Sequence, residues 1–167
     1  MIDLSAYKLQ TIRQDREFIL HRALRKRQAD GSLPSVLVLA PTLEPPSPET
    51  LSRMEHEFSL TAELDRAWAV RPLALTPHQG RSTLLLEDPG GEPLDQLLGT
   101  PMELGLFLRL AVGLAAAVGE VHRRGLIHKN IKPAHVLVNA ATGQVWLAGF
   151  GIASRLQRER QSPKPPE

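Results

Sequence analysis

The chain has no cysteine among its 167 residues, which excludes a disulfide framework, a thiolate metal site and a cysteine nucleophile. Aromatic residues are scarce, with two Trp, one Tyr and four Phe, so a surface that stacks nucleobases on interleaved rings is not built in. Neither sign of charge dominates. Twenty Lys and Arg against 18 Asp and Glu leave a formal net charge of +2, too mild to demand an acidic partner. The most apolar stretch, Leu104 to Val118, is interrupted by Arg109. It falls short of the ~20 residues a membrane span needs, so a soluble-domain helix is expected rather than an anchor. The opening MIDLSAYKLQ lacks a charged segment followed by an apolar run and does not read as a signal peptide. What remains is globular composition, 42% hydrophobic and 23% charged, in a length that suits one domain with a working core. The lack of cysteine fits a cytoplasmic setting.

Along the chain, Tyr7 to Arg13 and Glu17 to Lys26 read as two strands around a short polar turn. Ala29-Asp30-Gly31 signals a further turn, and Pro34 to Ala40 carries the run SVLVLA, the pattern of a strand buried on both faces. Four prolines between Pro41 and Pro48 exclude helix and central strand there. Ser47-Pro48-Glu49-Thr50 opens a helix expected to reach Leu64, with Pro at its first position. Strands near Val70 to Leu75 and Ser82 to Leu86 follow, and Asp88-Pro89-Gly90-Gly91 marks a connection. A second helix is expected over Pro101 to Arg124, with Thr100 as cap, Glu103 completing a capping box and Gly125 as stop. Its Phe107, Leu110, Ala111, Leu114, Val118 and Val121 recur at helical spacing and form one core face. Leu104, Leu106, Leu108 and Val112 cannot share that stripe, so exposed apolar surface and self-association are expected. The charged, Pro-rich segment 157–167 is expected to be a mobile tail, and no internal repeat is visible.

The most specific pattern lies between Leu126 and Leu156. His128-Lys129-Asn130 leads into Ile131-Lys132-Pro133, with His135 five residues after Asn130. A Gly-x-Val-x-Leu strand over Gly143 to Leu147 follows, then Gly149-Phe150-Gly151-Ile152-Ala153-Ser154-Arg155-Leu156. This resembles the protein-kinase core, in which H-R-D is followed five residues on by Asn and then by D-F-G. With Trp68 to Leu73 and Leu86 to Leu94 added, it is similar to one group within it. That group is the kinase-like domain that opens large bacterial sensor histidine kinases, ahead of an AAA-type ATPase region and GAF or PAS modules. The likeness runs from Tyr7 to Glu167. It implies an α+β, protein-kinase-like fold: a five-stranded antiparallel small lobe with one helix over 1–87, and an inter-lobe connection with the start of a helical large lobe over 88–156. Relatives in that group continue beyond this point, which leaves an excised fragment and a naturally short chain both open.

The same resemblance assigns roles, and several residues depart from them. Asn130 stands where the catalytic base belongs. Its amide takes no proton near neutral pH, and losing a general base typically costs ~10²–10⁴ in rate; holding the loop in shape is its plainer role. His135 and Gly149 stand at the magnesium-ligand positions. Magnesium wants oxygen and imidazole suits zinc or nickel better, while glycine offers no ligand. His122, His128 and His135 have no metal-site spacing, so no metal is expected. The turn from Thr11 to Glu17 has no glycine that would let its amides approach phosphate. The strand-3 lysine position falls at Leu37 or a neighbour, and Ser35 to Leu43 contains no Lys. Glu57 matches the helix glutamate that would pair with that lysine; without the cation a solvated helix charge is its plainer reading. Lys132 is kept, either to touch phosphate or to hold the loop through an ion pair. With Leu86 guarding the pocket, the adenine-facing N–H would fall at Pro89, which has none.

Glu57, Glu87, Asp88, Lys132 and Phe150 thus outline a vestigial nucleotide pocket, with Asn130 and Lys132 as degenerate catalytic-loop positions. The expected function is a catalytically impaired pseudokinase, a regulatory or interaction module working with protein modules of a larger sensor kinase. ATP binding would be weak and magnesium is not expected. Two alternatives stay open. An active ATP-dependent Ser/Thr kinase with atypical catalytic residues would rest on Lys132 and the kept Ile131-Lys132-Pro133 and Gly151-Ile152-Ala153 segments. A basic-surface nucleic-acid binder would use Arg22, Arg25, Lys26 and Arg27, but without interleaved aromatics a solvated strand edge is the plainer reading. No membrane partner is expected.

Overall fold

A computed structural model describes residues 7–25, 35–78 and 80–156. Lys26, Arg27, the Ala29-Asp30-Gly31 turn, Pro34, the side chain of Arg25 and the 157–167 tail lie outside the described residues. The architecture is α+β. Strands β1 (Tyr7–Gln14), β2 (Phe18–Arg25), β3 (Val36–Pro41), β4 (Pro72–His78) and β5 (Arg81–Glu87) form one sheet in the order β1-β2-β3-β5-β4. Every neighbouring pair is antiparallel, as the sequence led one to expect. β3 is central, and its continuous apolar run follows from burial on both faces. Leu37 and Leu39 pack with Ile12, Leu20, Met54 and Leu84 on one side, while Val36 and Val38 meet Ala23 and Leu85 on the other. Pro41 does enter a central strand, contrary to expectation, but only as its last residue opposite Phe18.

Helix α1 (Pro48–Ser59) starts as read: Ser47 caps it, its hydroxyl accepting the Thr50 amide at 3.1 Å, and Pro48 occupies the first turn. It ends at Ser59, short of the expected Leu64. Looser turns carry the chain onward, with Glu63 and Leu64 amides bonding to Leu60 O. Leaving the helix axis there buries Leu60 and Leu64 beside Trp68. β4 likewise begins at Pro72 rather than Val70, because the preceding segment pairs elsewhere. Val70 N donates to Leu147 O, and Leu147 N to Trp68 O, both at 2.9 Å. That exchange sews the sheet unit to the second half of the chain.

The second half holds short strands β6 (Glu92–Pro93) and β7 (Leu126–Ile127), helix α2 (Leu104–Arg123), and strands β8 (Val136–Asn139), β9 (Gln144–Leu147) and β10 (Ser154–Arg155). β6, β8 and β9 form one small sheet, and β7 pairs with β10. α2 begins at Leu104, not Pro101, and Thr100 is not its cap. Glu103 is, with its two carboxylate oxygens accepting the amides of Gly105 at 2.7 Å and Leu106 at 2.8 Å. One carboxylate therefore satisfies two orphan donors at the helix start. Leu110, Ala117 and Val121 are buried with Val145 and Leu147. Gly113 permits that approach, since a Cβ there would sit 2.9 Å from the Val145 side chain. Opposite, Leu104, Leu108 and Val112 are 68%, 52% and 69% exposed, as anticipated. Phe107 and Ala111 of the expected core face are exposed too, while Leu106 packs against the core, because the buried stripe runs through Leu110, Ala117 and Val121. Among the described residues α2 is the one helix long and apolar enough to cross a membrane by length and composition, a fuller span than the sequence stretch suggested.

Candidate functional site

The β1–β2 turn, α1, the 128–135 segment and the 148–152 segment meet around a cavity of about 180 Å³. His128 organises its floor. It is buried, its Nδ1 accepts the Asn130 amide at 3.1 Å, and Nε2 lies 3.0 Å from Ala148 O. One nitrogen must accept and the other donate, so the ring is neutral, and burial pushes its pKa down accordingly. Phe150 packs against it at a tilt of 55°, with ring centroids 4.5 Å apart, and meets Trp68 edge-on at 6.4 Å. Phe150 is fully buried; it is a core residue rather than a ligand contact.

His135 lies beside this pair, its Nδ1–H donating to Asn130 O at 2.8 Å. Burial, reinforced by the Arg13 and Lys132 cations, lowers its pKa to about 4. Its ring fills space in front of Gly149. A Cβ on Gly149 would stand 2.8 Å from His135 Nδ1, and the backbone there has φ +78°, which side chains adopt at a cost. Positions 135 and 149 therefore share one volume, and the imidazole has it.

Glu57 is the main correction to the sequence reading. It is 3% exposed, so it is not a solvated helix charge. Burial raises its pKa to about 6, while the amides of Phe150, Gly149 and Gly151 and the charge of Arg13 favour the ionised form. Its cation thus comes from β1, not β3. A register shift between Thr11 and Arg13 marks a bulge of the kind that re-aims a side chain. Arg13 reaches into the cleft, where its Nη1 donates to Ala134 O at 3.4 Å and its Nε is buried without a partner among the described residues. On β3 the cleft-lining residue is Leu39 rather than Leu37. Asn130 and Lys132 line the same cavity, and Lys132 Nζ lies 3.7 Å from Asp15 Oδ2.

No family model matches the chain. It is similar to the serine/threonine-protein kinase pkn2 of Myxococcus xanthus, 31% identical over 113 residues, which are 66% of this chain and 14% of that protein. It is similar also to serine/threonine-protein kinase PknA of Mycobacterium tuberculosis, 36% identical over 120 residues, 64% of this chain and 26% of that kinase. A fungal relative, cot-1 of Neurospora crassa, is 27% identical over 78% of this chain and 22% of its own length. These similarities support a protein-kinase-like domain. Its similarity covers well under a third of each relative's length.

Within the kinase-like domain, the expected nucleotide residues do not share one pocket. Glu87 and Asp88 line a separate cavity of about 510 Å³ with Pro89 and Trp146. The Asp88 carboxylate is fully used: it accepts from Arg22 Nε at 2.7 Å, Ser35 Oγ at 2.6 Å and the Gly90 amide at 2.9 Å. The same bonds remove Arg22 from the proposed basic surface, since its guanidinium also pairs with Glu92. Glu87 faces Arg71 at 3.4 Å. Among the described residues no three His, Asp or Glu side chains cluster as a metal site. Sequence reasoning missed Arg13 and Asp15. Both stand in the turn noted for its lack of glycine, where neither was given a role, and only the register of β1 against β2 reveals where Arg13 points.

Proposed function

We propose that this protein-kinase-like domain is a pseudokinase-type module of a bacterial signalling protein, working through contacts with other protein modules of a cytoplasmic sensor kinase. One observation carries the reading: the imidazole of His135 occupies the volume that a side chain at position 149 would need. A magnesium-triphosphate complex requires oxygen ligands at such positions, and here one is a neutral imidazole and the other has no side chain. Asn130 adds a base position that takes no proton. The kinase similarity of the two bacterial relatives supports a bacterial signalling role, and the likeness to the opening domain of sensor histidine kinases supports the larger context. In this reading ATP binds weakly at best and magnesium does not assist it.

The purified chain with magnesium ATP at millimolar concentration is expected to show no autophosphorylation and no transfer to a generic Ser/Thr substrate. Restoring one group should not rescue transfer, because residues acting as a unit are strongly non-additive. Autophosphorylation abolished by Lys132→Ala would overturn the proposal in favour of an atypical active kinase. A thermal shift that appears with ATP only when magnesium is added would count against it as well.

A further inference from the structure

The turn between β1 and β2 is tied from within and from four sides. Inside it, Asp15 Oδ1 accepts the amides of Glu17 at 2.9 Å and Phe18 at 2.8 Å, and Asp15 N donates to Phe18 O at 2.9 Å. At the end of β3, Thr42 N donates to Glu17 O at 2.9 Å and Thr42 Oγ1 to Asp15 O at 3.1 Å. On α1, Arg53 Nη1 donates to the Glu17 carboxylate at 2.5 Å and Thr50 Oγ1 to its other oxygen at 3.3 Å. Across the cleft, Lys132 Nζ lies 3.7 Å from Asp15 Oδ2, and Ala134 O accepts from Arg13. Behind the strand, Gln96 Nε2 donates to Ile12 O at 2.8 Å.

We propose that this turn is an intramolecular strap that shuts the cleft on the chain's own charges, with Asp15 set against Lys132 and Glu17 against Arg53. The lining holds three cations, Arg13, Arg53 and Lys132, and three carboxylates, Asp15, Glu17 and Glu57, so the cleft is electrically balanced with no ligand in it. A phosphate-gripping turn needs free amides and glycine; this one spends its polar groups on its own neighbours. The space left, about 180 Å³, is below the roughly 300–1,000 Å³ of ordinary small-molecule sites. Any one half-exposed ion pair contributes little. Their placement on one short turn, around the half-buried Arg13, is what makes a strap. The inference deepens the reading of a non-catalytic module, adding that the cleft holds its closed shape without nucleotide.

Hydrogen–deuterium exchange of the full 167-residue chain tests it in the absence of nucleotide. Arg53→Met with Lys132→Met removes the two charged ties to the turn, and leaves the bonds from Thr42 and Thr50 and those of Asp15 inside the turn. Amides of residues 14–18 should then exchange about tenfold faster, with the β4–β5 hairpin unchanged. Exchanging the charges, Glu17→Arg with Arg53→Glu, should restore protection that Glu17→Arg alone loses. Raising salt from about 0.05 to 1 M, which shortens electrostatic reach from more than 10 Å to roughly 3 Å, should speed wild-type exchange in the same residues. Unchanged exchange in the double variant would overturn the strap, as would a charge exchange that restores nothing. Further protection of residues 14–18 by millimolar magnesium ATP would do the same, because a docked turn has no contact left to make. Phosphotransfer is read separately, so a chain that proved active yet kept this salt-sensitive protection would leave the strap standing.

Discussion

His135 is the residue whose chemistry differs most from what its position in a kinase-like domain calls for. Its folded pKa of about 4 lies below the 6.5 of an exposed histidine, so the unfolded chain binds a proton that the folded chain refuses. Stability from this group is therefore full above pH 6.5 and is lost as pH falls from 6.5 toward 4. Glu57 runs the other way. Raised from 4.5 to about 6, it favours the folded state below pH 4.5, and that contribution disappears as pH rises through 6. Between pH 7 and 5 the His135 contribution alone amounts to about 2 kcal/mol. Urea unfolding of wild type and His135→Asn at both pH values should therefore differ in their pH response by about that amount, the variant resisting acid better. Parallel responses in the two proteins would show that the imidazole is not buried neutral.

At the scale of elements, α1 matters because it carries Glu57 into the cleft and Arg53 to the strap. Its start rests on Ser47, whose side chain accepts the Thr50 amide. Ser47→Ala should cost about 1 kcal/mol, and Ser47→Asp should cost little, because aspartate caps equally well. Guanidinium denaturation of the three proteins measures both. Equal loss in the two variants would mean that packing of Thr50 and Met54, not the cap, fixes where the helix begins. The bulge in β1 belongs to this scale as well. It is an irregularity of a single position, and it decides which face Arg13 serves.

For the whole molecule, two packed halves are joined through residues 68–70 against β9, while α2 is left half covered. Leu104, Phe107, Leu108 and Val112 form an apolar face that the described residues do not bury. At ~25 cal/mol per Å² of apolar surface, leaving a few such side chains in water forgoes several kcal/mol, against a typical domain stability of ~5–15 kcal/mol. The isolated chain is accordingly expected to self-associate at tens of micromolar in sedimentation velocity, and Leu108→Glu with Val112→Glu to shift it toward monomer. A sharp wild-type monomer with cooperative unfolding at ordinary mesophile temperature would contradict this.

Several features were decided by sequence alone. SVLVLA between Pro34 and Pro41 reads as a doubly buried strand, Ser47-Pro48 reads as a helix start, and Asn130 and Gly149 bring no acidic group wherever they lie. These depend on local chemistry and on the periods of strand and helix. Tertiary structure decided the rest, because each remaining feature is a relation between distant residues. Glu57 looked solvated until the Gly149–Gly151 backbone closed over it, and its cation came from β1 through a bulge that no spacing rule foretells. His135 and Gly149 are fourteen positions apart, yet they exclude one another only because β8 and β9 fold back as a hairpin. Asp88 and Glu57 seemed to share a pocket, and the sheet places them on different cavities. Burial and steric exclusion are properties of packed neighbours, and packing is what a one-dimensional pattern leaves open.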